Sequence, residues 1–225
     1  MIRPLFICLL AICLSRAAPV DSRAASPSDQ DSLGRVLEGL APGPRIAYLN
    51  YLLESGRTDP EIYFQLGVAY YEGENSDSAL HCYAKAVALS PSLSKAYVNM
   101  GVIFDGQNRR GEALRMFEKA VEANPKDLLA HAHAAYALFD SGEYEAAETH
   151  LSKAFAIDSL DPQPHFYLAI FFWESGMFRE SLVEWEKVVS CAPGSDLAEK
   201  ARENITILQH ALLAPPGEGI PPPRP

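Results

Sequence analysis

The chain has 225 residues, enough for one elongated array or one to two compact domains, and 48% of them are hydrophobic, which excludes a globally disordered chain. Its formal net charge of -10 excludes the basic face that nonspecific nucleic-acid binding needs, and it disfavours peripheral attachment to anionic lipid.

Residues 1–17 read as a secretory signal peptide. Arg3 stands near the start, an apolar run of about ten residues extends from Leu5 to Leu14, and small residues follow. That run is too short to cross a hydrocarbon core, which takes about 20 residues. Cleavage is expected after Ala17 or Ala18. An uncleaved anchor is one alternative and lipid attachment at Cys13 another, although Ile12 stands where a lipidation box places Gly, Ala or Ser. Cys8 and Cys13 would leave with the signal. Cys82 and Cys191 lie in repeats three units apart, too distant for a disulfide, and read as small buried hydrophobes.

Residues 18–32 are small and polar with two prolines, the composition of a linker. In residues 33–59, Leu33, Val36, Leu37 and Leu40 recur at helical spacing, Pro42-Gly43-Pro44 interrupts, and Arg45 to Ser55 resumes. This is an N-terminal cap or a degenerate first repeat. Four units of 34 residues follow without insertion: 60–93, 94–127, 128–161 and 162–195. Each reads as two amphipathic helices joined by a short turn, with turns marked by Glu72-Gly73-Glu74-Asn75, Asp105-Gly106-Gln107-Asn108, Ser141-Gly142 and Ser175-Gly176. Small residues recur on the first helices at Gly67, Gly101, Ala135 and Ala169, and on the second at Ala79, Ala113, Ala147 and Ser181. Close helix approach requires such residues, and large ones fill the gaps between them. Residues 196–213 form a further amphipathic helix with Leu197, Ala201, Ile205, Leu208 and Leu212 along one stripe, expected to cap the last unit. Residues 214–225 are Pro-rich and favour polyproline II or disorder.

A fixed period of this size marks stacked supersecondary units. Tyr97, Met100, Gly101, Phe104, Ala113, Phe117, Ala120 and Pro125 match the pattern of the tetratricopeptide repeat (TPR) family, which the chain therefore resembles. The resemblance implies an all-α fold, an α-solenoid of antiparallel helix pairs with N- and C-terminal capping helices. It also implies a non-catalytic protein–protein interaction scaffold whose first helices line a concave groove. Carried over position by position, that groove comprises Phe64, Val68, Tyr71, Val98, Asn99, Val102, Tyr136, Phe139, Phe166, Tyr167, Ile170 and Trp173, with an acidic rim supplied by Glu61, Glu72, Asp105, Asp140 and Glu174. Tyr71, Phe139 and Trp173 are expected to face solvent. Of the residues with which some family members clamp a peptide carboxylate, only Asn99 is present. The third unit departs most from the pattern, with His131, Ala134 and Leu138 in place of an aromatic, a large apolar and an aromatic residue.

No phosphate-binding Gly-rich loop, nucleophile elbow or carboxylate pair is recognisable, so no catalytic residue, cofactor or metal is expected. His131, His133 and His165 read as core or surface histidines. Asn204-Ile205-Thr206 matches a glycosylation sequon, with chance the simpler reading. The expected molecule is exported, periplasmic or secreted, and binds a peptide segment of a cell-envelope partner. Membrane contact would come only through an uncleaved or lipidated N-terminus. The alternative is a structural, self-assembling homo-oligomer whose groove is covered by its own or a neighbour's tail.

Overall fold

The computed structural model describes residues 33–213 and Pro223; the expected signal peptide and linker and nearly all of the Pro-rich tail lie outside the described residues. The described residues 33–40 belong to one unit, in which 33–37 are a short helical stretch. From Ala41 onward the described residues form ten helices and no strand. They are α1 (Pro42–Glu54), α2 (Pro60–Glu72), α3 (Ser76–Leu89), α4 (Ser94–Gly106), α5 (Arg110–Ala123), α6 (Leu128–Ser141), α7 (Tyr144–Ile157), α8 (Pro162–Glu174), α9 (Phe178–Cys191) and α10 (Asp196–Leu213). The first helices α2, α4, α6 and α8 start 34 residues apart, and so do the second helices α3, α5, α7 and α9.

The starts have local causes. Asp59, Asn75, Asp127 and Asp161 cap α2, α3, α6 and α8 by accepting backbone N–H bonds at 2.8–3.2 Å. Pro60 and Pro162 occupy first-turn positions where no backbone donor is needed. Asp127 also accepts a 2.6 Å bond from Ser94 Oγ, which ties the start of one unit to the start of the next.

Each hairpin turn places one residue in the left-handed region, closed by a bond from the following N–H to a carbonyl in the first helix, such as Asn75 N to Tyr70 O at 2.8 Å and Glu143 N to Leu138 O at 2.9 Å. In the third and fourth units that residue is Gly142 (φ 82) or Gly176 (φ 76). In the first two it is Glu74 (φ 59) and Asn108 (φ 60), each inside the expected turn stretch but not its glycine. Asn tolerates this region; Glu, with its Cβ against the backbone, does so at a cost of roughly 1–2 kcal/mol. Glu74→Gly should therefore raise the unfolding free energy by up to about 1 kcal/mol in urea denaturation, because glycine's greater unfolded-state freedom offsets part of the relief. No gain at all would show that the turn is not strained.

The hairpins close on small residues. Ala79, Ala113, Ala147 and Ser181 are fully buried, and Ser181 Oγ donates to Ala169 O at 2.7 Å. Gly67 lies against the Tyr83 ring and Gly101 against the Phe117 ring. Successive units then share clusters: Phe64 with Ala96 and Ile103, and Val98 with Ala130 and Ala134. At the end of the array, Ala201 and Leu208 of α10 join Phe166, Trp173, Trp185 and Val188. The buried stripe of α10 is rotated from the expected one: Ala198 and Asn204 are buried with Ala201 and Leu208, while Leu212 is 44% exposed. Burial of Asn204 leaves the sequon amide inaccessible in the folded chain. Cys82 and Cys191 are free thiols.

Candidate functional site

α4 touches α6 and α6 touches α8 across units, and Lys95 of α4 pairs with Glu61 of α2, so α2, α4, α6 and α8 follow one another along one face. The twelve groove residues expected from the sequence divide into two groups on that face. Phe64, Val98, Phe166, Tyr167, Ile170 and Trp173 are buried. Val68, Asn99, Val102, Tyr136 and Phe139 are half-buried, and Tyr71 is 46% exposed. Trp173 thus does not face solvent as expected. It sits in the cluster completed by α10, whose packing the 34-residue pattern of the upstream units does not specify. Phe64, Val98 and Phe166 share the fifth position of their helices, and that position serves the seam between units, since each ring or branched side chain packs into the cluster shared with the neighbouring hairpin or cap.

The accessible chemistry concentrates on α6 and α8. Tyr136 stacks on Tyr167 with centroids 4.9 Å apart, and Phe139 stacks on Phe171 at 4.1 Å. Tyr144 meets Phe171 at 6.1 Å. Sequence reasoning missed Phe171 and Tyr144. The signal for Phe171 was its departure from the repeat, since its phase holds Ala69, Ile103 and Ala137 in the other units. Beneath this layer, the Tyr167 hydroxyl lies 2.8 Å from His133 Nδ1, and His133 stacks on Phe117 at 4.9 Å. Enclosure there pushes the His133 pKa down to about 4, with Asp127 opposing, so the ring is neutral and serves as a packed aromatic. In the first units, Asn99 Nδ2 donates to Tyr83 Oη at 3.1 Å, and Lys95 lies 4.2 Å over the Phe64 ring while pairing with Glu61 at 2.8 Å.

Asp105, Asp140 and Glu174 end α4, α6 and α8 along one edge of this face. Burial, and then the Asp140 charge, raise the pKa of both Asp105 and Glu174. Arg110 pairs with Asp140 and lowers both values in opposition. The phenol of Tyr136 is raised by burial and by the same three carboxylates. The three carboxylates also stand at helix C-termini, where the aligned backbone dipoles add negative potential. The edge is therefore anionic beyond what the one arginine offsets.

Among the described residues, no group of three or more His, Cys, Asp or Glu is arranged to hold a metal ion, and no helix is long and apolar enough to cross a membrane. A shallow cavity of about 420 Å³ lies apart from the aromatic face, between α1, α2 and α3, lined by Tyr63, Tyr70, His81, Cys82 and Lys85 among others. The Cys82 thiol there is pushed up by burial, against the pull of Lys85, so it is not poised as a nucleophile.

A stack of regular helical hairpins with an open aromatic face is the architecture of a helical-repeat protein. The chain belongs to the tetratricopeptide repeat family: residues 60–93 and 106–169 each match a tetratricopeptide repeat model. Among curated proteins it is similar to the peroxisomal targeting signal receptor of Eremothecium gossypii, 25% identical over 114 residues, which are 51% of this chain and 20% of the receptor. The chain thus spans about one fifth of the curated relatives it matches. Its fold is that of TTC0263, a thermophilic TPR protein of Thermus thermophilus, with TM-score 0.64, 22% identity, and coverage of 84% of this chain and 100% of that one. It is also similar to YrrB, a TPR protein with an unusual peptide-binding site, with TM-score 0.51, 22% identity, and coverage of 73% and 84%.

Proposed function

We propose that this protein is a non-catalytic scaffold that holds a peptide segment of a protein partner along the first-helix face. The observation that carries the reading is the open ring layer of Tyr136 and Phe139, backed by Tyr167 and Phe171 and edged by Asp105, Asp140 and Glu174. Partly open aromatic side chains held rigid by stacking supply contact area at little entropic cost. Tyr71 extends the face toward the first unit. The peptide-binding site of YrrB and the targeting-signal recognition in the receptors' name support a role of the same kind. The basic and apolar stretch at residues 1–17 supports export and a partner of the cell envelope, periplasmic or secreted.

The test is crosslinking and recovery of partners in the native host, with wild type compared against a Tyr136→Ala/Phe139→Ala variant. Recovery should fall about tenfold or more, as expected for truncated anchor residues at about 1–2 kcal/mol each. A control at Leu89→Ala, an exposed position on a second helix, should leave recovery unchanged. Equal recovery from wild type and the double variant would remove the face from consideration.

A second reading, self-assembly, draws on the exposed end of α10, where Leu213 is 86% and Leu212 44% exposed. Light scattering over a range of concentrations separates the two, since a concentration-independent monomer leaves no self-assembly to explain.

A further inference from the structure

One pair of helix positions changes its chemistry along the array. The fourth position of each first helix is matched nineteen residues later by a position on the second helix. These pairs are Tyr63 and Cys82, Tyr97 and Met116, His131 and His150, and His165 and Glu184. The first two pairs are aromatic with a sulfur-bearing side chain; the last two are titratable.

In the third unit His131 is 1% exposed. Its Nε2 lies 3.1 Å from the Pro125 carbonyl, which only accepts, so Nε2 carries the proton and Nδ1 offers a lone pair. His150 Nδ1 stands 3.0 Å from that lone pair and must donate. A single proton therefore joins α6 to α7. One more proton fits at His150 Nε2 with this bond intact. A second has to enter at His131 Nδ1, where it meets the His150 N–H head-on and leaves two imidazolium rings with centroids 5.1 Å apart. The charges that reach His150 are His131, from α6, and Lys153, on its own helix; burial first, and then these two, lower its pKa. On the α8 side, Phe155 packs on the His165 ring at 4.8 Å, and His165 is committed to Glu184. On the α5 side, Phe117 stacks on His133, whose nearest influential charge is Asp127.

The fourth unit responds with the opposite sign. His165 Nδ1 lies 2.7 Å from Glu184, and Lys187 donates to the same carboxylate at 2.7 Å. Burial alone would raise Glu184, yet these hydrogen bonds bring it below the usual carboxylate range. Its contribution is present above the unfolded carboxylate value near 4.3 and is lost only as pH falls through its lower folded value. The lowered imidazoles of His150 and His133 contribute fully above the unfolded value near 6.5 and lose that contribution as pH falls below it, because the unfolded chain then binds the extra protons.

We propose that the α6–α7 hairpin is a pH-sensitive joint: mild acid opens it while the neighbouring α8–α9 hairpin stays clasped, and the opening displaces Tyr136 and Phe139 from the inner face. The consequence for partner release rests on the proposed binding face; the opening itself does not.

Hydrogen–deuterium exchange on the full chain at about pH 7.5 and about pH 5, normalised for intrinsic exchange rates, reads the opening directly. Amides of α6 and α7 should lose about tenfold more protection than those of α2–α5 and α8–α9. Replacing the pair with that of the second unit, His131→Tyr/His150→Met, should reduce the difference to the part that the buried His133 of α6 contributes. So should His150→Gln, which keeps a donor to His131 without titrating and serves if the double variant does not fold. Uniform loss of protection along the wild-type chain, or a difference undiminished in these variants, would overturn the joint. If the joint opens while partner affinity is unchanged between the two pH values, the binding face is at fault rather than the joint.

Discussion

Trp185→Ala is expected to lower the unfolding free energy by about 3–5 kcal/mol. The indole is 0% exposed and meets Phe166 edge-on with centroids 5.1 Å apart. It lies in the cluster where α8, α9 and α10 come together, so its removal leaves a cavity that three helices border. Trp185→Phe should cost much less than the difference in ring area implies. The Trp185 Nε1–H finds no acceptor among the described residues, and a buried unpaired donor already costs the native state about 1–3 kcal/mol. Urea denaturation of the three chains gives the comparison, with exchange at α10 amides as the local readout. A loss below about 1 kcal/mol for the alanine variant would mean that the cap does not rest on this residue.

Gly101→Ala should also destabilise, and for a reason that can be reversed. A Cβ at position 101 would run into Phe117 Cε1 and lie 2.6 Å from Cδ1. That ring is 2% exposed, so it cannot step aside, and overpacking of this kind costs about 1–3 kcal/mol. Alanine's better helix propensity returns up to about 1 kcal/mol of that. In a Phe117→Leu background the obstruction shrinks, and Gly101→Ala should become neutral or stabilising. The double-mutant cycle should therefore show a coupling of about 1–3 kcal/mol. Additive effects would mean that the glycine is retained for something other than the ring. A Cβ at Gly67 would run into the Tyr83 ring in the same way, and Gly67→Ala should behave alike.

The array was readable in the chain because its small–large pairs recur in phase: Gly101 with Phe117 is the pattern of Gly67 with Tyr83, and helix starts at Pro60, Ser94, Leu128 and Pro162 follow from it. What escaped depends on contacts outside a single repeat. The turns at 72–75 and 105–108 were legible, but which residue turns left-handed was not: the closing bond to the first helix decides it, and it selects Glu74 and Asn108. Trp173 looked like a solvent-facing anchor because the family position is open in an uninterrupted array; here α10 closes over the cluster that holds it. Conversely, Phe171 and Tyr144 join the aromatic layer from positions that carry other residues elsewhere, so periodicity gave no reason to select them. The pairing of the histidines was not legible, since whether His131 meets His150 depends on how α6 and α7 are rotated about their axes.

The bonds that join one unit to the next, Lys95 to Glu61 and Tyr167 to His133, each link residues 34 positions apart, and the bonds within a hairpin link residues closer still. No native contact of this kind waits for a long loop to close. The entropic toll of bringing partners together is therefore the same for every unit, whatever the array length. Folding can start at any hairpin and spread in both directions. A chain lengthened by further units between α2 and α9 should fold no more slowly than this one, because its contact separation, relative to its length, would fall.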